Sequence, residues 1–371
     1  SIIPAGPYCI DAGIKDILPK INKGGKFIGG NYIDSAGKFN PATAGQGSWF
    51  VKYIFTDANK CTSTDSIYVK VNPLPDASIN LAGPYCIDVG VKAMTAKNNP
   101  GGKFYGGNYI DSAGRFNPKI SGAGLHTVNY TFTDNNKCIG FDSIKVLINP
   151  LPDPSIIPAG PFCIDNGVVK ILPKSNPGGK FYGGSYIDSA GNFDPFKAKA
   201  AVHKVAYIVK DANACINKDS IFVKVNPLPI ATINPSGPFC VDAGLQLVKP
   251  KVNAGGKFFG GKYIDSIGVF QAKIAGVGVH KVYYFFKDKN GCKNTDSILV
   301  KVNALPNASI NAAGPYCIDA PVDKLTPKVN LGGKFSGGVY IDSTGKFNPS
   351  KAGIGLAKVI YTFTDNNKCT N

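Results

Sequence analysis

One period governs the whole chain. The phrase Gly-Pro-Tyr/Phe-Cys places cysteines at Cys9, Cys86, Cys163, Cys240 and Cys317, each 77 residues after the last. A second series, Cys61, Cys138, Cys215, Cys292 and Cys369, keeps the same step, as does the lysine of Gly-Gly-Lys-Phe at Lys26, Lys103, Lys180, Lys257 and Lys334. A strict period without insertions marks an array, and 77 residues exceeds the roughly 20–47 of the common helical and leucine-rich solenoids. A unit of this size can enclose a small core of its own. The chain therefore reads as five domains in series: 1–75, 76–152, 153–229, 230–306 and 307–371. The fifth is incomplete, because 371 residues fall 14 short of five periods (5 × 77 = 385). What it lacks corresponds to Thr64–Asn72, a last core strand, so an apolar groove is expected there. Ser1 stands at the phase of Ser78 and Ser155, and the sequence is expected to be a mature product or an excerpt from a longer array.

Within a unit the apolar residues recur with period two. Val51, Tyr53 and Phe55 alternate with Lys52, Ile54 and Thr56, then Ile67, Val69 and Val71 alternate with Tyr68 and Lys70. Such alternation predicts strands with one face in a core. Asp57-Ala58-Asn59-Lys60-Cys61 between them is rich in turn formers and predicts a hairpin with a cysteine at its tip. The first half predicts shorter strands at Ser1 to Ile3, Ile14 to Leu18 and Lys26 to Ile28, separated by glycine pairs. No segment carries a helical apolar stripe, so no helix is expected. About seven short strands per unit predict an all-β fold, a tandem array of immunoglobulin-like sandwiches.

The joints read Asn-Pro-Leu-Pro, with Pro73, Pro75, Pro150, Pro152, Pro227 and Pro229, and Ala-Leu-Pro at the fourth, with Pro306. Proline fixes φ and favours extended backbone, so these are rigid linkers and the array is expected to be an elongated rod. The even pair of cysteines per unit predicts disulfides, hence an oxidising compartment outside the cytoplasm. A bond within each repeat, Cys9 to Cys61 and so on, is expected, because a domain this small gains most from closing its own long loop. A bond between neighbours, such as Cys61 to Cys86, is the alternative and would stiffen the rod.

Catalytic and metal chemistry find little footing. The acidic residues are all aspartates. Asp11, Asp34 and Asp57 recur in all five units and Asp65 in four, which suits turn capping better than acid–base work or a calcium loop. His126, His203 and His280 share one repeat position, but that position is Trp49 in the first unit and Ala357 in the last. No Cys-x-x-Cys pair suggests zinc. Phe27, Tyr32 and Phe39 are expected to fill the core, with a sugar-stacking platform as the other reading. No cofactor is expected and the chain does not read as an enzyme. The formal charge of +17 is spread as lysines along strands rather than clustered, which argues against nucleic acid and suits a soluble face that resists edge-to-edge association; anionic polysaccharide or cell surfaces are the other reading, beside neighbouring repeats and lateral copies of the chain as partners. No apolar run reaches a membrane span.

Taken together, Gly-Pro-Tyr-Cys, Gly-Gly-Lys-Phe-x-Gly-Gly, Gly-Lys-Phe-Asn-Pro, Tyr-x-Phe-Thr-Asp and Val-Asn-Pro-Leu-Pro resemble the PKD-like and Ig-like repeats of very large secreted proteins of Bacteroidetes. These include cell-surface adhesins similar to the gliding-motility adhesin SprB. The resemblance covers every repeat and implies export by the type IX route, attachment at the surface and a role in adhesion, gliding or filament building. The lysine of Gly-Gly-Lys-Phe departs from that pattern. The expected function is the non-enzymatic shaft of a surface adhesin or extracellular filament; the alternative is a multivalent carbohydrate- or surface-binding array.

Overall fold

The computed structural model describes residues Ser1–Asn371. By contact the chain divides into two compact units, Ser1–Ile156 with Pro173–Lys180 and Tyr207–Asp219, and Ile157–Leu172 with Phe181–Ala206 and Ser220–Asn371. Repeats 1 and 2 lie in the first and repeats 4 and 5 in the second. The residues of repeat 3 are divided between them.

Repeat 1 sets the pattern. Its elements are β1 (Tyr8–Cys9), β2 (Lys15–Asp16), β3 (Lys26–Ile28), β4 (Lys38–Phe39), the helical turn α1 (Pro41–Ala44), β5 (Gly47–Thr56) and β6 (Thr62–Asn72). One sheet has the order β1-β6-β5-β3, and β2 and β4 form a second, smaller sheet. β5 and β6 make the expected hairpin, in register from Gly47 opposite Val71 to Thr56 opposite Thr62. The two sheets close over Ile17 and Phe39 on one side and Phe27, Val51, Tyr53, Val69 and Val71 on the other. This is a small all-β sandwich, and the same sheet pair recurs through the first four repeats. In repeat 5, Lys334–Ser336 pairs with Ile360–Thr362 and Asp323–Lys324 with Lys346–Phe347.

The long alternating strands fall where the pattern of apolar residues placed them, since Val51 and Val69 are fully buried while Tyr68 is 70% exposed. The short elements differ. Ser1 to Ile3 is a single bridge, Ile2 to Pro19, rather than a strand. The strand near the amino end is instead Tyr8–Cys9, which pairs in parallel with the carboxyl end of β6, Tyr8 opposite Val71 and Cys9 opposite Asn72. Against expectation, each repeat also has one helical turn. Asn40 caps it, its side-chain oxygen accepting from Ala42 N at 3.1 Å, and Pro41 occupies the first position. Asn followed by Pro suits an N-terminus because the cap satisfies free amides and proline needs none. At four residues the turn is too short to show a periodic stripe, which is why the pattern of apolar residues is silent about it.

The recurring lysine before the aromatic now has a physical place. β3 is an edge strand, Phe27 points into the core and Lys26 points to solvent. A charged side chain on an edge discourages pairing with the edge of another molecule.

The joint between repeats as candidate functional site

The disulfides run between repeats, not within them. Cys9 bonds Cys138, Cys86 bonds Cys215, Cys163 bonds Cys292 and Cys240 bonds Cys369, each spanning 129 residues. The expected bond from Cys9 to Cys61 does not form, and neither does the alternative from Cys61 to Cys86. The reason is the length of β6. Cys9 lies beside Asn72 at one end of that strand, and Cys61 precedes Thr62 at the other. Eleven residues of strand put them about 35 Å apart, whereas bridged cysteines have Cα atoms within about 7 Å. Cys9 lies at the end of repeat 1 that adjoins repeat 2, and Cys138 opens the corresponding strand of repeat 2 (Ile139–Asn149) at the end facing back to repeat 1. There the Cα–Cα distance is 5.4 Å. Cys61 and Cys317 are free and exposed.

The surroundings hold the second cysteine of each bond in place. Cys138, Cys215, Cys292 and Cys369 are all buried, while Cys61, without a partner, is exposed. The aspartate four residues earlier fixes the turn: the Asp134 carboxylate accepts from Asn136 N at 2.8 Å and Cys138 N at 2.9 Å. Asp211 does the same for Cys215 and Asp288 for Cys292. Two residues after the cysteine, the strand reaches back to the linker: Asn217 Nδ2 donates to Pro152 O, Asn294 Nδ2 to Pro229 O and Asn371 Nδ2 to Pro306 O, at 3.0, 2.8 and 2.8 Å. Gly140 occupies this position in repeat 2, and a Cβ there would lie 2.1 Å from Pro75 O. Asp142 ties the start of its own repeat down, accepting from Ile79 N at 3.0 Å, as Asp65 does from Ile2 N at 2.7 Å.

At the first joint, Asp76 accepts from the Ser78 hydroxyl, from the Asn98 amide and from Ser78 N. The Ser78 hydroxyl is the largest influence, and together these donors push the Asp76 carboxyl down to about 2. A carboxylate depressed in the fold adds stability above its ordinary pKa of 3.8 and loses it as pH falls from there toward 2. A carbon-detected NMR titration should therefore place the Asp76 midpoint near 2. The Ser78→Ala variant should move it back up toward the ordinary value, and an Asp76 midpoint indistinguishable from free aspartate would refute the assigned contacts.

The other recurrent side chains make contacts within their own repeats. Phe27 and Phe39 are buried and Tyr32 is half-buried, with its hydroxyl donating to Phe50 O at 3.0 Å. The shared histidine position has one role in the first four repeats: Trp49 Nε1 donates to Gly45 O at 2.8 Å, and His126 Nε2 lies 2.9 Å from Gly122 O, which calls for a proton on Nε2; Ala357 of the fifth makes no such bond. Both rings also pack on the tyrosine of the preceding loop, Tyr32 or Tyr109. The Asp34 phase caps its own turn, accepting from Ala36 N and Lys38 N. No three His, Cys or Asp side chains gather as metal ligands.

The Gly-Gly-Lys-Phe phrase is anchored from inside the core. The Tyr53 hydroxyl accepts from Gly25 N and donates to Asn22 O, both at 2.7 Å. Tyr130 repeats this with Gly102 N at 2.7 Å and Asn99 O at 2.6 Å. This use of the buried tyrosine leaves no trace in the apolar pattern, and only the fixed spacing of Gly25 and Tyr53 hints at it.

Repeat 5 has a cavity of about 430 Å³ lined by Ile310, Tyr316, Leu325, Phe347 and Val359 among others. No helix is long and apolar enough to cross a membrane. No family model matches the chain, and no curated protein matches it. Among solved structures, it is similar to extracellular cadherin domains 3–6 of protocadherin gamma B2, at 9% identity over 82% of this chain and 100% of that one, with a TM-score of 0.24. It is similar to mouse protocadherin-24 EC1–3 at 13% identity over 63% and 100%, TM-score 0.26. A Ca2+-stabilized adhesin with which an Antarctic bacterium binds ice is similar at 11% identity over 76% and 90%, TM-score 0.28. At these scores the likeness assigns neither fold nor function. Four disulfides, which persist in oxidising surroundings, indicate a chain that works outside the cytoplasm.

Proposed function

We propose that this chain is shaft: a non-enzymatic stretch of a cell-surface adhesin or extracellular filament, in which the 77-residue sandwiches act as rigid spacers. The observation that carries this reading is the joint. Each linker between repeats is doubled by a disulfide whose second cysteine is buried, and proline-containing linkers hold the backbone extended. Effort of this kind at every junction suits a part whose task is to keep its length. The resemblance to Bacteroidetes repeat adhesins supports a place at the cell surface.

The alternative is an array of weak binding modules. Aromatic pairs on the outer sheet face favour it, among them the exposed Phe50 with Tyr68, and Phe259 with the half-buried Tyr283. Against it, the pair is not kept: Phe50 corresponds to Thr127, Lys204, Lys281 and Lys358, and Tyr68 to Lys145, Phe222 and Leu299, so only the first repeat has both rings. A site multiplied for avidity needs the same contacts in each copy. Electron microscopy of the native assembly decides between them. A thin fibre beaded at roughly 35–40 Å supports the shaft. Discrete 39 kDa particles that bind a surface glycan would replace it with the binding array.

A further inference from the structure

The disulfides interleave, and their order has a mechanical consequence. From Cys9 a covalent route crosses to Cys138, follows 25 backbone steps to Cys163, crosses to Cys292 and follows 25 more to Cys317. A second route runs from Cys61 along 25 steps to Cys86, crosses to Cys215, follows 25 to Cys240 and crosses to Cys369. The routes alternate: where one passes a joint by backbone, the other passes it by disulfide. We propose that these two covalent paths carry tension past most of each fold, so that the array bears a pull with very little lengthening. This rests on the shaft reading.

Repeat 2 shows how the fold serves the two paths. One enters at Cys138 and runs along Ile139–Asn149 into the next linker. The other enters from the preceding linker and leaves at Cys86. The two segments lie side by side in parallel, Tyr85 opposite Ile148 and Cys86 opposite Asn149, with Ile87 N donating to Asn149 O at 3.0 Å. This is the parallel pairing in a sheet whose other pairings are antiparallel. Both paths point the same way through the repeat, so a pull loads them together. The 52 steps from Cys86 to Cys138, which hold the rest of the core, lie outside both. Along either path two repeats have only 25 steps and one disulfide, a ceiling of about 46 Å per repeat. The strand Ile139–Asn149 alone already spans about 36 Å.

The test is single-molecule stretching of the full chain by non-thiol handles at its two ends. With disulfides intact, the shortest route from Ser1 to Asn371 has segments of 8, 25, 52 and 2 steps, 87 in all, through Cys9–Cys138, Cys163–Cys292 and Cys240–Cys369. Extension should stop at about 320 Å. After reduction the whole chain is released and the limit should rise about fourfold, to about 1,300 Å. A graded check comes from paired serine variants. C86S/C215S should leave the limit unchanged, because the remaining bonds still supply a route of 87 steps. C9S/C138S should lengthen it to 112 steps with one bridge fewer, by about 80 Å. An oxidised chain that extends well past 320 Å, with its thiol count showing the four bonds intact, overturns the proposal. The shaft reading fails separately: globular particles in the microscope would remove it even if the extension limit holds, and fibres with an unlimited extension would keep it and remove the tension paths.

Discussion

A single proteolytic cut anywhere between Cys9 and Cys369 should leave the chain covalently in one piece. The four bonds span 9–138, 86–215, 163–292 and 240–369, and these intervals overlap without a gap. A nick at any backbone bond in that range is therefore bridged by at least one disulfide. The cuts that distinguish pairings lie between Cys61 and Cys86 or between Cys138 and Cys163, where Lys70 and Lys145 are exposed to a lysine-directed protease. After limited digestion, a denaturing gel without reductant should show the full 39.1 kDa mass, and the same sample with reductant should show a ladder of fragments. Bonds confined to each repeat would behave otherwise, because a cut in a linker would release separate pieces under both conditions. Fragments on the non-reducing gel after one cut per chain would therefore contradict the pairing. Each bond also closes a loop of 129 residues, for which chain entropy gives about 5 kcal/mol when the bond forms alone. The overlap of loops makes later bonds worth less.

Gly102→Ala should unfold or severely loosen repeat 2. A methyl group there would stand 2.1 Å from Thr131 O and 2.6 Å from Tyr130 Cζ, on backbone and on a ring that is itself fully buried. Neither neighbour can yield without disturbing the core, and the hydrogen bond from Gly102 N to the Tyr130 hydroxyl would be lost with it. Overpacking and a lost buried partner together should cost about 3 kcal/mol or more, a large part of what a domain of this size possesses. Two controls isolate the cause. Tyr130→Phe removes the hydroxyl without a clash and should cost about 1–2 kcal/mol. Gly90→Ala, in the same repeat with nothing within 4 Å of the new carbon, should be near neutral. Hydrogen exchange resolved by repeat reads all three, and protection in the Gly102→Ala chain equal to that of Gly90→Ala would refute the assigned packing.

The period, the sandwich and the hairpin were legible in the sequence because their signals are local. Alternation at Val51, Tyr53 and Phe55 needs only the geometry of one strand, and Asp57 with Asn59 marks a turn within its own five residues. The helical turn at Pro41–Ala44 was not read, although Asn40-Pro41 announces it, because four residues cannot display a helical period. The place of Phe27 and Phe39 in the core is legible for the same local reason, since each falls on the inward phase of a short strand.

The cysteines divide the two kinds of knowledge most clearly. Composition and spacing alone established that there are two per repeat and that they belong to a disulfide framework. Which cysteine meets which depends on where Tyr8–Cys9 docks, and that is decided by a parallel pairing with residues more than 60 positions away, Val71 and Asn72. Two residues of strand carry no periodic signal of their own. Their docking at the far end of β6 places Cys9 and Cys61 at opposite ends of an eleven-residue strand, with Cys9 at the end that meets repeat 2. A small domain's need for a staple, the guide available from sequence, points to closing the domain on itself; strand length, which only the folded repeat reveals, forbids it.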